Sequence, residues 1–430
     1  MKLLIEGARL IDPASGLDRV GDLAVMDGRI VGVGTAPDGF SPEQRVAAGG
    51  AVLIPGLVDL HARLRAPGSA LEGGIESELQ AAVAGGVTTL VCPPDTDPVL
   101  DEPGLVEMLM HRTERAALAR VLPLGALTRS LAGEALAEMG ALTQAGCVGL
   151  SQAEKPVRNT AVLWRALQYA ASFGHKVWLR PQDSFLGGGV AASGPLATRL
   201  GLAGVPAMAE SIALHTLFEL MRATGAAVHV QRLSTHQGVA LLRAAKAEGL
   251  PVTADVSVHS LHLIDQDIGF FDTTARLEPP LRQQRDRDAL RAALADGTID
   301  ALVSDHVPVD ADGKALPFAE AQAGGTALEL LLSLALHWGA QSGLSLGHAL
   351  GPVTGRAALV LGRQAGRLQE GAPADLCLFD AGARWSVTPE RLRSRAKHSP
   401  FAFERCGMEM PGQVVGTWVA GRRVFGGAGA

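Results

Sequence analysis

The chain has 430 residues, 47% hydrophobic and 19% charged, with a net charge of −6. That length exceeds one small core and predicts a large domain with a smaller companion. With 38 Lys plus Arg against 44 Asp plus Glu, the balance gives no support to a nucleic-acid partner or an acidic membrane surface.

The N-terminus, "MKLLIEGARLID", meets the charged Glu6 after only three apolar residues, so it does not read as a signal peptide. Residues 1–52 read as short strands, "KLLIEGARLID" and "DLAVMDGRIVGVG", with a turn at Asp27-Gly28. The same texture returns in "ADLCLFD" and "VVGTWVAGRRVF", with a turn at Ala420-Gly421. A composite β-sandwich domain built from residues 1–52 plus 365–430 is the expectation.

Between these ends, residues 53–364 alternate. Eight short apolar runs start near Leu57, Val87, Arg120, Cys147, Lys176, Ala227, Val252 and Ile299. Most precede a helical pattern, such as "GIESELQAAVAGG" or "AVLWRALQYAASFG", with apolar residues at i, i+3 and i+4 and a closing Gly. Strand–helix alternation repeated eight times predicts a parallel sheet, closed economically as an eight-stranded (β/α) TIM-type barrel. No glycine-rich nucleotide loop follows the first strand. "LELLLSLALHW" reads as a buried helix, and no apolar run reaches the roughly 18–20 residues that span a bilayer. Cys92, Cys147, Cys377 and Cys406 are widely spaced, which suggests neither disulfides nor a Cys zinc site. A reducing cytoplasm is expected.

Chemistry in such a barrel belongs at the C-terminal strand ends. There the sequence places His61, Arg63 and Arg65, then Asp95 and Asp97, then "SQAEKP" with Ala153, Glu154 and Lys155. Later strands end in Arg180, in His229 and Arg232, in His259, and in Asp305 and His306. A hydrolytic zinc site needs three or four neutral imidazoles or carboxylates and one open position. Arginine has no lone pair to give a metal. One arginine alone is ordinarily a solvated loop charge; three at strand ends of one rim are less easily dismissed. His111, His175, His215, His337 and His348 read as structural or surface residues, and "RLRSRAKH" (391–398) as a solvated or interface segment.

These motifs, taken in order, resemble the dihydroorotase family of the amidohydrolase superfamily. "PGLVDLHARLRAPG" is similar to the family's PGxxDxHxHxRxPG, and "GGVTTLVCPPDTDPV" to GGxTTxxxMPNTxPx. "GLAGVPAMAE", "HVQRLST", "VTADVSVHSL", "PPLR", "GTIDALVSDHVP" and "EGAPADLCLFD" follow, so the resemblance covers almost the whole chain. It implies a zinc centre that makes hydroxide to attack a cyclic amide. Position by position, His61 matches the first ligand, but Arg63, Ala153, Arg180 and Arg232 stand where the family has ligands. Asp305, a ligand and the general base in the family, is retained, and Val309 replaces a further His. Among substrate-binding positions Arg65 matches, whereas Asp95 and Glu278 replace asparagines.

The resemblance is nearest to inactive dihydroorotase-like chains that pair with aspartate carbamoyltransferase, down to "PPDTDPVLDEP". It implies no catalytic residue, no zinc or other cofactor, and a hetero-oligomer with the aspartate carbamoyltransferase catalytic chain in pyrimidine biosynthesis. On this reading Arg63, Arg180 and Arg232 neutralise the remaining acids in place of metal. The alternatives are an active metal-dependent cyclic amidohydrolase with a reduced site, or a small-anion-binding module.

Overall fold

The computed structural model describes residues 1–68, 72–363 and 365–426; the last four residues of the composite-domain expectation lie outside it. The chain opens with β1 (Lys2–Asp12), β2 (Leu17–Met26), β3 (Arg29–Gly34), β4 (Gln44–Ala47) and β5 (Val52–Pro55). Asp27 and Gly28, both at positive φ (49° and 79°), make the β2–β3 turn, the geometry a tight hairpin requires. β1 is bulged between Ile5 and Ala8, where Gly7 adopts φ 65°. Before the bulge β1 pairs with β4; beyond it, with β5.

The barrel begins with β6 (Leu57–Asp59), β7 (Val87–Cys92) and β8 (Arg120–Pro123), which continues into β9 (Gly125–Ala126). β10 (Leu150–Ser151) and β11 (Val177–Leu179) follow. A short ladder of β12 (Ala191–Ala192) with β13 (Gly204–Val205) interrupts the series before β14 (Val228–Val230), β15 (Val252–Ser257) and β16 (Ala301–Val303). All barrel pairings are parallel, and a bridge between Ala62 and His306 joins the last strand to the first. The eight apolar runs of the sequence are therefore the eight strand positions of the barrel.

Residues alternate across these strands as the pleat demands. Val58, Val91, Leu122, Trp178, Ala301 and Val303 form one cluster, closed by helix Gly355–Val360. Their neighbours Leu57, Leu90, Val121, Val177 and Leu302 belong to the larger core shared with the surrounding helices. Among the described residues, no helix is long and apolar enough to cross a membrane.

The chain returns through β17 (Leu376–Ser386), β18 (Glu409–Val419) and β19 (Arg422–Phe425). β17 pairs antiparallel with β5, so strands from both ends form one eight-stranded sheet that branches at β1. Ile30 of β3 and Trp418 of β18, far apart along the sheet, pack in one core with Leu3, Leu10 and Leu378, so the sheet folds over on itself.

Two boundaries differ from the sequence reading. β5 pairs within the small sheet, which moves the junction from residue 52 to Pro55; "VLIPGLVD" is continuously buried, and hydropathy carries no mark of the break. The stretch between β17 and β18 leaves the small domain and hydrogen-bonds to barrel residues Glu78, Thr326 and Glu329.

Trp178 is fully buried, with its ring 4.3 Å from His229. Trp178→Ala should lower the unfolding free energy by about 3–5 kcal/mol, the usual loss for a large aromatic cavity, read from denaturant unfolding.

Candidate functional site

The strand ends turn sharply at the barrel mouth. Arg65, Ala153, Arg232 and Asp305 all have left-handed backbones, with φ of 54°, 51°, 51° and 50°. This conformation costs L-residues on the order of 1–2 kcal/mol each, so it persists only where neighbours enforce it. The Ala153 amide donates to Ser151 Oγ (3.1 Å), and the Arg232 amide to Asp255 Oδ1 (2.7 Å). The Arg63 amide donates to the His306 carbonyl (2.9 Å), tying the first strand end to the last.

Three guanidinium groups converge on Glu154. Its Oε1 lies 2.7 Å from Arg63 and 2.6 Å from Arg232, and its Oε2 lies 2.6 Å from Arg180. Each arginine also holds a second acid. Arg63 donates to Asp95 from Nε (3.0 Å) and from its terminal nitrogen (2.8 Å), a two-pronged grip. Arg180 lies 3.0 Å from Glu278, which has Arg276 at 4.0 Å on its other side. Arg232 donates to Asp305 Oδ1 at 3.2 Å.

Burial alone would push the Glu154 and Asp305 carboxyls toward neutrality. The arginines override it, and both groups are held well below the usual carboxylate range. Burial likewise opposes the charge on Arg63, but Asp95 and Glu154 outweigh it and raise its pKa. Each of the three arginines meets acids of the mouth; only Arg232 reaches Asp305, and the common partner is Glu154. Asp305 lies too deep, against His61 and His259 (both 3.7 Å), for Arg63 or Arg180 to share it.

His61 is fully buried, and Arg63 lies 3.0 Å from its Nε2. Arginine can only donate, so Nε2 accepts and the ring proton sits on Nδ1. Nδ1 lies 3.3 Å from the Gln231 amide, whose oxygen is the group required there. Burial first, then Arg232 and Arg63, depress the His61 pKa well below its ordinary value, so the ring is neutral.

The donor set does not fit a metal ion. Guanidinium groups already engage His61 Nε2 and Asp305 Oδ1. Among the described residues, no group of three or more His, Cys, Asp or Glu side chains is placed to hold one. Ala153 contributes no polar side-chain atom, and Val309 is buried and apolar.

Arg65 stands apart from the cage, bonded to Glu72 (2.9 Å) and to the Pro308 carbonyl (3.0 Å). A cavity of about 350 Å³ remains between Arg63, Arg65, Asp95, Glu154, Arg180 and Glu278. His229 is structural: its ring bridges Thr253 and Asp255, each at 2.8 Å. Glu154, which the sequence places on the rim, is the residue to which sequence reasoning gave no role. Its one available signal was a carboxylate displaced by one position from Ala153 in "SQAEKP".

A parallel barrel whose strand ends carry an inward polar cage, with a β domain assembled from both chain ends, defines an amidohydrolase-type protein. Comparisons agree. The Dihydro-orotase-like family matches residues 50–238, and the Amidohydrolase family residues 205–425. A dihydroorotase-like protein of Pseudomonas aeruginosa is 43% identical over 98% of this chain and 99% of its own. A dihydroorotase of Geobacter sp. is 38% identical over 99% of each chain. Among solved structures, the L-hydantoinase of Arthrobacter aurescens superposes with a TM-score of 0.86 at 24% identity, covering 99% of this chain and 96% of its own. This chain belongs to the dihydroorotase family.

Glu154→Gln should cost roughly 3 kcal/mol of unfolding free energy at pH 7, because it weakens the shared anchor of three arginines. The depressed carboxyls of Glu154 and Asp305 contribute stability that is complete above the unfolded carboxyl pKa of about 4 and is lost as pH falls below it. Denaturant midpoints measured on acidification should therefore fall less steeply in the variant.

Proposed function

We propose that this chain is a non-catalytic dihydroorotase homologue, a cytoplasmic assembly subunit of an aspartate carbamoyltransferase complex in pyrimidine biosynthesis. The observation that carries the non-catalytic half is the position of Arg63 and Arg232. Their guanidinium groups engage His61 and Asp305, the two side chains that the family's metal site retains here. Opening a cyclic amide near neutral pH calls for a hydroxide, which bound zinc supplies by lowering the pKa of its water to about 7. Arginine supplies charge but no coordination position, so the cage keeps the mouth ordered without that chemistry. Asp305, already bonded to Arg232 and strongly acidic, is a poor base.

The partner half rests on the sequence. The stretch after β7, "PPDTDPVLDEP", resembles the inactive chains that pair with aspartate carbamoyltransferase. Relatives named dihydroorotase-like, at 43% identity, are compatible with such a role.

Elemental analysis of protein purified without added zinc should find far less than one metal per chain, and the same sample should not interconvert carbamoyl aspartate and dihydroorotate. Stoichiometric zinc accompanied by ring-opening activity would overturn the reading. Mixed with the aspartate carbamoyltransferase from the same cell, the chain should elute as one large species at micromolar concentration. Separate elution counts against the assembly role.

A further inference from the structure

The stretch that crosses from the small domain onto the barrel has a marked pattern. Leu392, Ser394 and Ala396 are buried, whereas Arg391, Arg393 and Arg395 are exposed. Its backbone is fixed from below by buried acids. The Arg393 and Ser394 amides donate to Glu329 Oε1 (2.7 and 3.0 Å), and the Arg395 amide to Glu78 Oε1 (3.2 Å). Thr326 secures the following turn through the Ala396 and His398 carbonyls. Among the described residues, none of the three arginines has an ion-pair partner, although the chain is acidic overall.

Arg391 and Arg393 border a cavity of about 360 Å³ between the barrel and the small sheet. Its apolar lining comes from Leu332, Trp385, Val414 and Phe425. Glu329 also lines it; Oε1 takes both backbone amides, which leaves Oε2 without a protein partner among the described residues.

We propose that this interdomain cleft is a docking site for an acidic, extended segment of a partner protein. An apolar side chain of that segment fills the cavity, flanking carboxylates pair with Arg391 and Arg393, and a segment N–H meets Glu329. The occupant is a polypeptide because the arginine row continues to Arg395, which does not border the cavity and lies outside what a cavity-sized ligand touches. Charge complementarity selects an acidic segment over a basic one. The apolar lining and the neighbouring Glu329 and Glu390 disfavour a nucleic acid. Since the strap is pinned before binding, little ordering is left to oppose association. The proposal deepens the assembly reading, on which it rests for the existence of a partner.

The test uses the full chain and a fluorescein-labelled decapeptide alternating Glu and Leu. Wild type should bind it with salt-sensitive affinity, and Arg391→Glu/Arg393→Glu should weaken binding by at least about tenfold. A Glu–Ser decapeptide, which lacks the apolar anchor, should bind more weakly, and a Lys–Leu decapeptide not at all. Both altered residues are exposed, and an unchanged thermal melt will confirm that the variant folds. Equal binding by wild type and variant, or a preference for the Lys–Leu peptide, would falsify the proposal. So would equally tight binding of a single-stranded DNA decamer. Co-elution with aspartate carbamoyltransferase separates the two readings. If wild type and variant co-elute alike, the assembly role stands and this surface falls. If neither co-elutes while the peptide result holds, the cleft stands and the partner is another protein.

Discussion

Glu154 is the point on which the barrel mouth depends. Arg63, Arg180 and Arg232, from three different strand ends, meet on its two oxygens. Three cations this close would repel one another strongly in a poorly solvated bowl. One shared anion, with Asp95, Glu278 and Asp305 as second partners of the three arginines, turns that repulsion into a connected network. Breaking a buried ion pair commonly costs more than forming it gains, because the partner is left unpaired. The cage is therefore interdependent, and substitutions within it should be strongly non-additive.

The backbone beneath the cage makes this arrangement possible. Left-handed residues at Ala153, Arg232 and Asp305 are unusual, and amide hydrogen bonds donated to Ser151 and Asp255 hold the first two in place. At Ala153 the left-handed turn coincides with a side chain too short to contribute, and the next residue, Glu154, supplies the carboxylate. Charge balance at the mouth thus comes from paired side chains.

A second set of buried acids works at the opposite scale, between domains. Glu78 joins His306 (2.8 Å) to the Arg395 amide, and Glu329 takes two more amides of the same strap. The His306 carbonyl in turn holds the Arg63 amide, so the strap, the last barrel strand and the arginine cage share one chain of hydrogen bonds. The small domain is thereby fastened to the barrel at the strap, beside the cleft lined by Trp385 and Phe425.

Local pattern decided much of this. Eight apolar runs and their following helices were legible because the pleat and the helix repeat impress fixed periods on a sequence. The turn at Asp27-Gly28 was legible because few residues accept positive φ. The arginines at Arg63, Arg180 and Arg232 were visible as a chemical departure, since no arginine can replace a ligand. Their partners were not. Whether Asp95 faced Arg63, Glu278 faced Arg180, or Glu154 served all three depended on how the strand-end backbones turn and on barrel closure bringing residues 63, 154, 180 and 232 to one point. The junction at Pro55 was hidden for a related reason: a continuously buried run looks the same whichever sheet its strands join. Sequence by itself determined the elements and the chemistry available at their ends. Only the tertiary structure decided which charges meet, because that choice is made by distance across the barrel and not by spacing along the chain.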